Sequence, residues 1–364
     1  MNQVLLTVSG TISPEIEAEI QQGQRPTADY LAMAEAFQAD LLDFPAARQK
    51  IGRFGRLLER LGGPQLMLAW ASFQLRHQYR LIFTDGEQIG IPLALLLKFL
   101  SPGKRPAHLM IAHLLSVPKK QVFFDWLKVQ TCIDIIFVYS TWQKQFIQTR
   151  WQLPDERVIF LPFMVDDRFF APDQARPGDP LGLADHGRPV ISAVGLEFRD
   201  YPSLMQAVKG LEVQVVIAAA SPWSKREDST RAQEIPAHVV VRRFSQYDLR
   251  DVYAASRFVV MPLYPVDFQA GVTAILEAMA MGKAVICSQT PGQTDVIVAG
   301  ENGVYVPPQD PDALRTAILS LLADPEEAAR LGQNGYRQIH SHMNLDAYVQ
   351  RLASHVMNAI RLRT

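Results

Sequence analysis

The chain has 364 residues, of which 48% are hydrophobic and 20% charged, and its formal net charge is -1. This composition excludes a disordered or fibrous protein, and the length predicts two domains, because a single hydrophobic core stops growing below this size. The two cysteines, Cys132 and Cys287, lie far apart without the spacing of a zinc site, which favours buried thiols in a reducing compartment.

Neither the N-terminus nor any apolar run predicts export or membrane insertion. The first ten residues, MNQVLLTVSG, have no positively charged leader and are typical of a first strand. The longest apolar stretch, 89–100, contains Pro92 and Lys98 and is shorter than the roughly 20 residues that span a bilayer. We therefore expect a cytoplasmic protein without a transmembrane helix.

Short apolar runs separated by helix-length segments fill both halves of the chain. Such runs are typical of buried parallel strands in an α/β sheet. In the first half they span 3–8, 81–84, 108–112, 134–139 and 158–161, and in the second half 190–194, 213–219, 239–242, 258–261, 284–287 and 303–306.

A segment rich in proline and glycine separates the two series of runs, as expected of a linker. The predicted fold is therefore α/β, with two Rossmann-like domains built on parallel sheets. We predict an N-terminal domain over 1–172, a linker over 173–188, a C-terminal domain over 189–340 and a last helix over 341–364 that docks on the body.

The most informative segment begins at Gly271, which lies between a predicted strand and a helix that starts near Val272. A helix N-terminus offers unpaired amides and a partial positive charge, so the amides of Gly271, Val272 and Thr273 could hold a diphosphate. Glu277, one turn into the helix, could then accept two hydrogen bonds from a ribose diol. The alternative is that Glu277 is a solvated or capping acid.

The run from Gly271 to Gly282, together with 282–286, resembles the donor-site signature of retaining glycosyltransferase family 4, in glycosyltransferase group 1. The segments 292–297, 301–303 and 307–314 are similar to the same family, and the resemblance extends over about 190–340. It implies a GT-B fold, in which two facing Rossmann-like domains enclose a cleft. The N-terminal domain would bind the acceptor and the C-terminal domain a UDP- or GDP-sugar donor, with no further cofactor and no metal.

The resemblance also implies roles for individual residues. Glu277 corresponds to the second glutamate of the family's paired motif, which binds the donor ribose, and Gln269 stands at the position of the first. Glutamine can hydrogen-bond a sugar hydroxyl but cannot stabilise a developing positive charge, which Asp267 could supply instead. His113 would lie near the donor sugar, and Arg199 would neutralise the leaving diphosphate.

Three further residues complete the implied donor site. Lys225 is a second candidate cation, although a solvated surface lysine is the alternative. Phe244 and Ser245 would contact the nucleotide base through backbone groups. For Arg199 the alternative is an ion pair with Asp200 or Glu197.

Residues 45–150 carry an excess of positive charge, and residues 45–61 form a basic amphipathic pattern. Such a helix could lie on an anionic membrane surface and serve a glycan or lipid-linked acceptor, or it could be a surface helix whose apolar stripe packs in the core. Nucleic acid is not expected, because no aromatic residues are interleaved with the charge. The apolar residues of the pattern are Ile51, Phe54, Leu57, Leu58 and Leu61, and the basic ones are Arg48, Lys50, Arg53, Arg56 and Arg60.

These patterns favour a retaining, metal-independent glycosyltransferase. Two other classes stay open. One is a sugar-nucleotide epimerase on a similar scaffold, for which the paired carboxylates and histidines are not evident. The other is a catalytically silent binding protein, which Gln269 keeps open.

Overall fold

The computed structural model describes residues 3–101, 103, 105–183, 187–219 and 235–362, which divide into two compact units. The described residues of the first unit fall within 3–18, 28–161 and 346–362, and those of the second within 19–27 and 162–345. The end of the chain thus returns to the first unit. There the hydroxyl of Tyr348 lies 2.9 Å from that of Tyr139, and His355 packs edge-on against Phe137.

The first unit is built on a parallel six-stranded sheet with the strand order β2-β1-β3-β4-β5-β6. Its strands are β1 (Val4–Thr7), β2 (Ala39–Leu42), β3 (Leu81–Thr84), β4 (Ala107–Ala112), β5 (Ile135–Val138) and β6 (Val158–Phe160). Up to β6 the helices are α1 (Ile16–Gln21), α2 (Asp29–Phe37), α3 (Phe44–Lys50), α4 (Arg53–Leu75), α5 (Glu87–Leu100), α6 (Pro118–Asp125) and α7 (Thr141–Trp151).

Two features of this unit were not predicted. The strand β2 has the sequence ADLL and lies at the sheet edge, where it pairs with β1 alone among the described strands. Helix α4 is bent at Gly63, which has φ 78° and precedes Pro64. Proline cannot continue the helical hydrogen bonding and restricts the residue before it, so α4 has two halves, 53–62 and 64–75.

The second unit is built on another parallel six-stranded sheet, with the order β12-β11-β10-β7-β8-β9. Its strands are β7 (Val190–Val194), β8 (Gln214–Ala218), β9 (Val239–Arg242), β10 (Ser256–Met261), β11 (Ala284–Ser288) and β12 (Gly303–Val306). The helices that follow β7 are α8 (Tyr201–Val208), α9 (Gln246–Ala255), α10 (Val272–Ala280), α11 (Pro311–Ala323) and α12 (Pro325–Gln338), and α13 (Leu345–Arg361) ends the described chain. The six predicted runs of this half are all strands.

Both sheets contain a topological switch point, where the strand order reverses. In the second unit, β8 and β9 extend the sheet from one side of β7, and β10, β11 and β12 extend it from the other. Ligands of open parallel sheets bind outside the carboxyl ends of the strands at such a point. The loops after β7 and β10 are therefore the first place to look for a site.

Helix α10, which follows β10, is held by close packing of α12. A Cβ atom added at Gly332 of α12 would overlap the carbonyl oxygen of Gly282, whereas one added at Gly335 would meet Cγ of Met279 at 3.1 Å. The first contact is with rigid backbone and the second with a flexible side chain. Gly332 is thus required by close approach, and Gly335 is not.

We expect Gly332→Ala to lower the free energy of unfolding by roughly 1–3 kcal/mol, since overpacking exceeds the ~1 kcal/mol that alanine gains over glycine in a helix. Gly335→Ala, in the same helix, is the matched control and should be neutral or slightly stabilising. Urea unfolding of both variants measures the difference. Equal stabilities would show that α12 moves away from α10 without cost.

Candidate functional site

The loop that follows β10 ends at Gly271, the residue at which α10 begins. Gly271 has φ 77° and ψ 8°, a left-handed conformation that favours glycine. Among the described residues no side chain caps this helix, and its first turn contains no acid. The N-terminus of α10 therefore presents amides and a partial positive charge that suit an anion.

Arg199 places a cation beside this helix start. Its side chain is buried, and it donates hydrogen bonds to the carbonyl oxygens of Val194 at 2.9 Å and Glu197 at 2.7 Å. A Cβ atom on Gly271 would lie 2.8 Å from Nη2 of Arg199, and one on Gly195 would overlap the same atom. The guanidinium thus lies against both glycines, at the carboxyl ends of β7 and β10.

The ion pair considered as an alternative for Arg199 is not what the structure shows. The carboxylate of Asp200 instead caps α8, where it accepts hydrogen bonds from the amide and the hydroxyl of Ser203. Within the described ranges, both hydrogen bonds of Arg199 go to neutral carbonyl oxygens, which do not neutralise its positive charge. Burial lowers the pKa of Arg199 from its usual value, but a guanidinium stays charged in proteins.

Short backbone contacts fix the two loops of the site to each other. Arg199 forms an antiparallel bridge with Leu263, and the amide of Tyr264 donates to the carbonyl of Phe198 at 3.0 Å. The amide of Asp200 likewise donates to the carbonyl of Pro262. The position of Arg199 is therefore set by backbone pairing rather than by a flexible side chain alone.

Glu277 lies within α10 and is buried. The hydroxyl of Tyr253, from α9, donates a hydrogen bond of 2.7 Å to its Oε2 atom. Burial raises the pKa of Glu277 to about 7, and the hydrogen bond from Tyr253 opposes this rise. The alternative of a solvated or capping acid is therefore wrong, because the carboxyl group is held inside the unit by a tyrosine.

The loop before Gly271 packs on the segment that follows β11. The side-chain amide of Gln293 donates to the carbonyl of Ala270, and a Cβ atom on Gly292 would overlap the backbone of Phe268. Among the described residues, three buried oxygen atoms here lack a hydrogen-bond partner. They are Oε1 of Gln269, Oγ1 of Thr290 and Oε1 of Gln293.

Unpaired buried acceptors are rare in folded proteins and call for a ligand, a water molecule or another explanation. Gln269 was predicted as a site residue, whereas Thr290 and Gln293 were not. Both of these lie in the region of the stated resemblance, but no pattern in the sequence distinguishes them. Only the packing of the two loops shows that they belong with Gln269.

The predicted base-binding residues Phe244 and Ser245 follow β9, which lies two strands from β7 in the sheet. The hydroxyl of Ser245 caps α9, since it accepts from the amide of Asp248 at 3.1 Å and donates to its Oδ2 atom at 2.8 Å. Phe244 is partly buried, and the Arg242 guanidinium lies 5.2 Å from its ring centroid. Lys225 lies outside the described residues.

His113 belongs to the first unit, where it follows β4 with an exposed side chain. Its amide donates to Oε2 of Glu87 at 2.8 Å, and its Nε2 lies 3.1 Å from the carbonyl oxygen of Asp85. Although burial raises the pKa of Glu87, the charges of His113 and Lys120 hold it below its usual range. The backbone of His113 is thus fixed by a buried carboxylate.

Neither a membrane-spanning helix nor a cluster of metal ligands is found among the described residues. Within the described ranges, no helix is both long and apolar enough to cross a bilayer. The described part of the chain also contains no group of three or more His, Cys, Asp or Glu side chains arranged to hold a metal ion. The cytoplasmic location and the lack of a metal stay predictions.

The two Rossmann-like units define a protein of the GT-B fold class. The sucrose-phosphate synthase of Thermosynechococcus elongatus has a similar fold, with a TM-score of 0.71 and 19% identity over 99% of each chain. Anabaena HepE in complex with UDP-glucose is similar with a TM-score of 0.71 and 17% identity, over 98% of this chain and 99% of that one. These likenesses confirm the predicted fold class.

A comparison of sequences relates the second unit to a known protein family. Residues 199–338 match the family model described as glycosyl transferases group 1, which confirms the predicted resemblance of this region. The GDP-mannose-dependent alpha-(1-6)-phosphatidylinositol monomannoside mannosyltransferase of Mycolicibacterium smegmatis is 28% identical over 200 residues. The match covers 50% of this chain and 51% of the relative, so the chain spans about half the relative's length. Assignment to family 4 stays a prediction.

The raised pKa of Glu277 predicts a dependence of stability on pH. The folded state binds the proton more tightly than the unfolded state, whose glutamate has its usual pKa of 4.5, so this residue costs stability increasingly from about pH 4.5 to 7. Glu277→Gln does not titrate, and its stability relative to wild type should rise by up to about 3 kcal/mol across that range. Urea unfolding at pH 5 and pH 8 measures this.

The control for the Glu277 experiment is Glu301→Gln, which removes a carboxyl group from an exposed position. The prediction is contradicted if the stability difference between Glu277→Gln and wild type is the same at pH 5 and pH 8. The Glu277 carboxyl would then have the same pKa in the folded and unfolded states.

A second variant pair tests the space around Gly271. Gly271→Ala and Gly282→Ala both force alanine into a left-handed conformation, at φ 77° and 69°, which costs roughly 1–2 kcal/mol. Only in Gly271→Ala would the new Cβ atom also lie 2.8 Å from Nη2 of Arg199 and 2.8 Å from Sδ of Met261. Gly271→Ala should therefore be the more destabilised variant and should bind inorganic pyrophosphate more weakly. Unfolding and calorimetric titration test this. Equal losses would mean that Arg199 moves aside.

Proposed function

We propose that the chain is a retaining glycosyltransferase that takes its sugar from a nucleoside-diphosphate donor without a metal ion. The observation that carries the proposal is the uncapped start of α10 at Gly271, next to the unneutralised guanidinium of Arg199. A diphosphate bound there would meet the amides of Gly271, Val272 and Thr273.

The same arrangement supplies a role in the reaction. As the glycosidic bond breaks, negative charge grows on the diphosphate, and groups already fixed around it stabilise that charge without reorganisation. Arg199 is fixed by the carbonyls of Val194 and Glu197, and the helix N-terminus by the fold itself. Together they supply the positive charge that a metal ion would otherwise provide, with Lys225 proposed as a second cation.

Glu277 is proposed to bind the donor ribose. A carboxylate can accept a hydrogen bond from each hydroxyl of a diol, and Tyr253 holds one of its oxygens in place. A ligand that donates hydrogen bonds favours the charged form of the acid and opposes the effect of burial. The backbone of Phe244 and Ser245 is proposed to contact the base.

The sugar itself is proposed to lie near Gln269, whose buried oxygen lacks a partner among the described residues. The segment after β11, which packs on this loop, contains the similarly unpaired oxygens of Thr290 and Gln293. Gln269 can bond sugar hydroxyls, and Asp267 is the proposed source of negative charge. His113 is proposed to approach the sugar from the first unit. Retention follows if the departing diphosphate takes the acceptor proton on the face that it leaves.

The donor and acceptor classes are supported by the proteins that this chain resembles. The mycobacterial relative is named for GDP-mannose and a phosphatidylinositol mannoside, and the Anabaena protein was solved with UDP-glucose. We therefore propose a UDP- or GDP-sugar donor and a glycan or lipid-linked acceptor. A catalytically silent binding protein is the second candidate, because glutamine replaces the acid at position 269.

The test is incubation with a panel of UDP- and GDP-sugars and candidate acceptors. We expect nucleoside diphosphate release with one donor, and a product with the donor's anomeric configuration by NMR. Arg199→Lys should reduce turnover by about 100-fold or more, since lysine lacks the planar fork that bonds both carbonyls and faces Gly271.

Arg315→Lys is the matched control, because Arg315 also bonds two backbone carbonyls, those of Ala207 and Lys209. It should keep the wild-type rate. Donor binding without turnover would favour the silent protein, and an isomerised donor would indicate an epimerase. Either result contradicts glycosyl transfer.

A further inference from the structure

Exposed apolar side chains are concentrated in one part of the first unit. Among the described residues, thirteen large hydrophobic side chains are exposed, and eight of them lie between residues 54 and 127. Single exposed apolar residues are ordinary, but a concentration of them marks an interaction surface. The eight are Phe54, Leu57, Leu61, Phe99, Leu100, Val122, Trp126 and Leu127.

The first half of α4 presents two parallel stripes, which we call the α4 ridge. Its apolar stripe consists of Phe54, Leu57 and Leu61, with exposed fractions of 55%, 48% and 75%. Its basic stripe consists of Arg53, Arg56 and Arg60, each one residue earlier in the chain and each exposed. Both stripes follow the spacing of neighbouring turns, so they lie side by side.

The packing of the ridge explains why its apolar stripe is exposed. The ring of Phe54 meets Trp70, in the second half of α4, edge-on at 5.0 Å between centroids, and Ile51 is buried. A Cβ atom on Gly55 would lie 3.0 Å from Trp70. The ridge thus contacts the second half of α4 near Gly55, while Leu57 and Leu61 stay outside. The predicted alternative, with the whole apolar stripe in the core, is wrong.

A second cluster, which we call the Trp126 patch, consists of Phe99, Leu100, Trp126 and Leu127. Trp126 is 81% exposed, the highest value among the exposed aromatic side chains of the described residues. Lys98 joins the two parts of the patch, since its Nζ donates to the carbonyls of Leu127 at 2.8 Å and Lys128 at 3.1 Å. The end of α5 therefore lies against the segment that follows α6.

The ridge and the patch lie on the same side of the first sheet. Helices α4, α5 and α6 belong to successive connections from β2 to β5, each of which crosses the sheet in the same direction. Because such connections are right-handed, these helices cover one face, and α4 packs against α5. One surface of the unit thus combines exposed leucines, phenylalanines and a tryptophan with arginines.

We propose that this surface docks on a lipid bilayer that contains anionic lipids. The charge favours this partner, because the acid of the ridge, Glu59, is paired with Arg48, and Asp125, beside Trp126, is paired with Arg150. Three arginines next to leucines match anionic headgroups above acyl chains, and exposed tryptophan is favoured at the membrane–water interface. The surface lies in the first unit, whereas Arg199 and Glu277 lie in the second.

The test is flotation of the full chain with phosphatidylcholine vesicles, with and without phosphatidylglycerol. We expect binding to the anionic vesicles that weakens as salt rises. Replacing Arg53, Arg56 and Arg60 together by glutamine should reduce binding by on the order of 100-fold, at about fivefold for each charge near the surface. Leu61→Gln and Trp126→Gln should each reduce it by about fivefold or more.

The matched control is Leu319→Gln, which changes an exposed leucine of α11 in the second unit and should leave binding unchanged. Equal melting temperatures would show that the variants fold. Binding to neither vesicle, equal binding to both, or a dimer in gel filtration that Leu61→Gln abolishes would overturn the proposal. Pyrophosphate titration of the same variants keeps this result separate from the proposed transfer.

Discussion

The second unit depends on one constraint, a buried guanidinium whose hydrogen bonds to described residues do not neutralise its charge. Arg199 bonds the carbonyls of Val194 and Glu197, and its Nη2 atom lies so close to Gly195 and Gly271 that a side chain at either position would collide with it. Burying a charge is costly unless other groups or a ligand compensate for it. Several local features accommodate or position this one cation. They are the two glycines, the left-handed start of α10 and the backbone bridge to Leu263.

The sequence predicted those parts of the fold that local patterns specify. The runs that became β7, β8, β10 and β11 are buried on both faces and therefore continuously apolar, whereas β2 contains Asp40 at a sheet edge and gave no such signal. The bend of α4 at Gly63 was also missed, although the following proline is a local signal for it. Helix α4 shows that an apolar stripe alone does not say whether it will be buried.

The sequence likewise predicted only those parts of the site whose residues lie close together in the chain. Gly271 and Glu277 were found because a glycine before a helix and an acid one turn later are close in sequence. The hydroxyl that holds Glu277 comes from Tyr253, which is 24 residues away, and Gln293 reaches Ala270 across 23 residues. Such partners depend on the order of strands in the sheet. The unpaired oxygen of Thr290 can likewise be recognised only once the surrounding packing is known.

The two units solve the same electrostatic problem at their switch points in opposite ways. Helix α5, which follows β3, has the carboxylate of Glu87 in its first turn. This carboxylate accepts hydrogen bonds from the amide of His113 and the ammonium of Lys120. Helix α10, which follows β10, has no acid in its first turn and faces Arg199 instead. A helix start that already contains a carboxylate has less attraction left for an anionic ligand. The charges of the chain itself therefore favour an anionic ligand at the start of α10 over one at the start of α5.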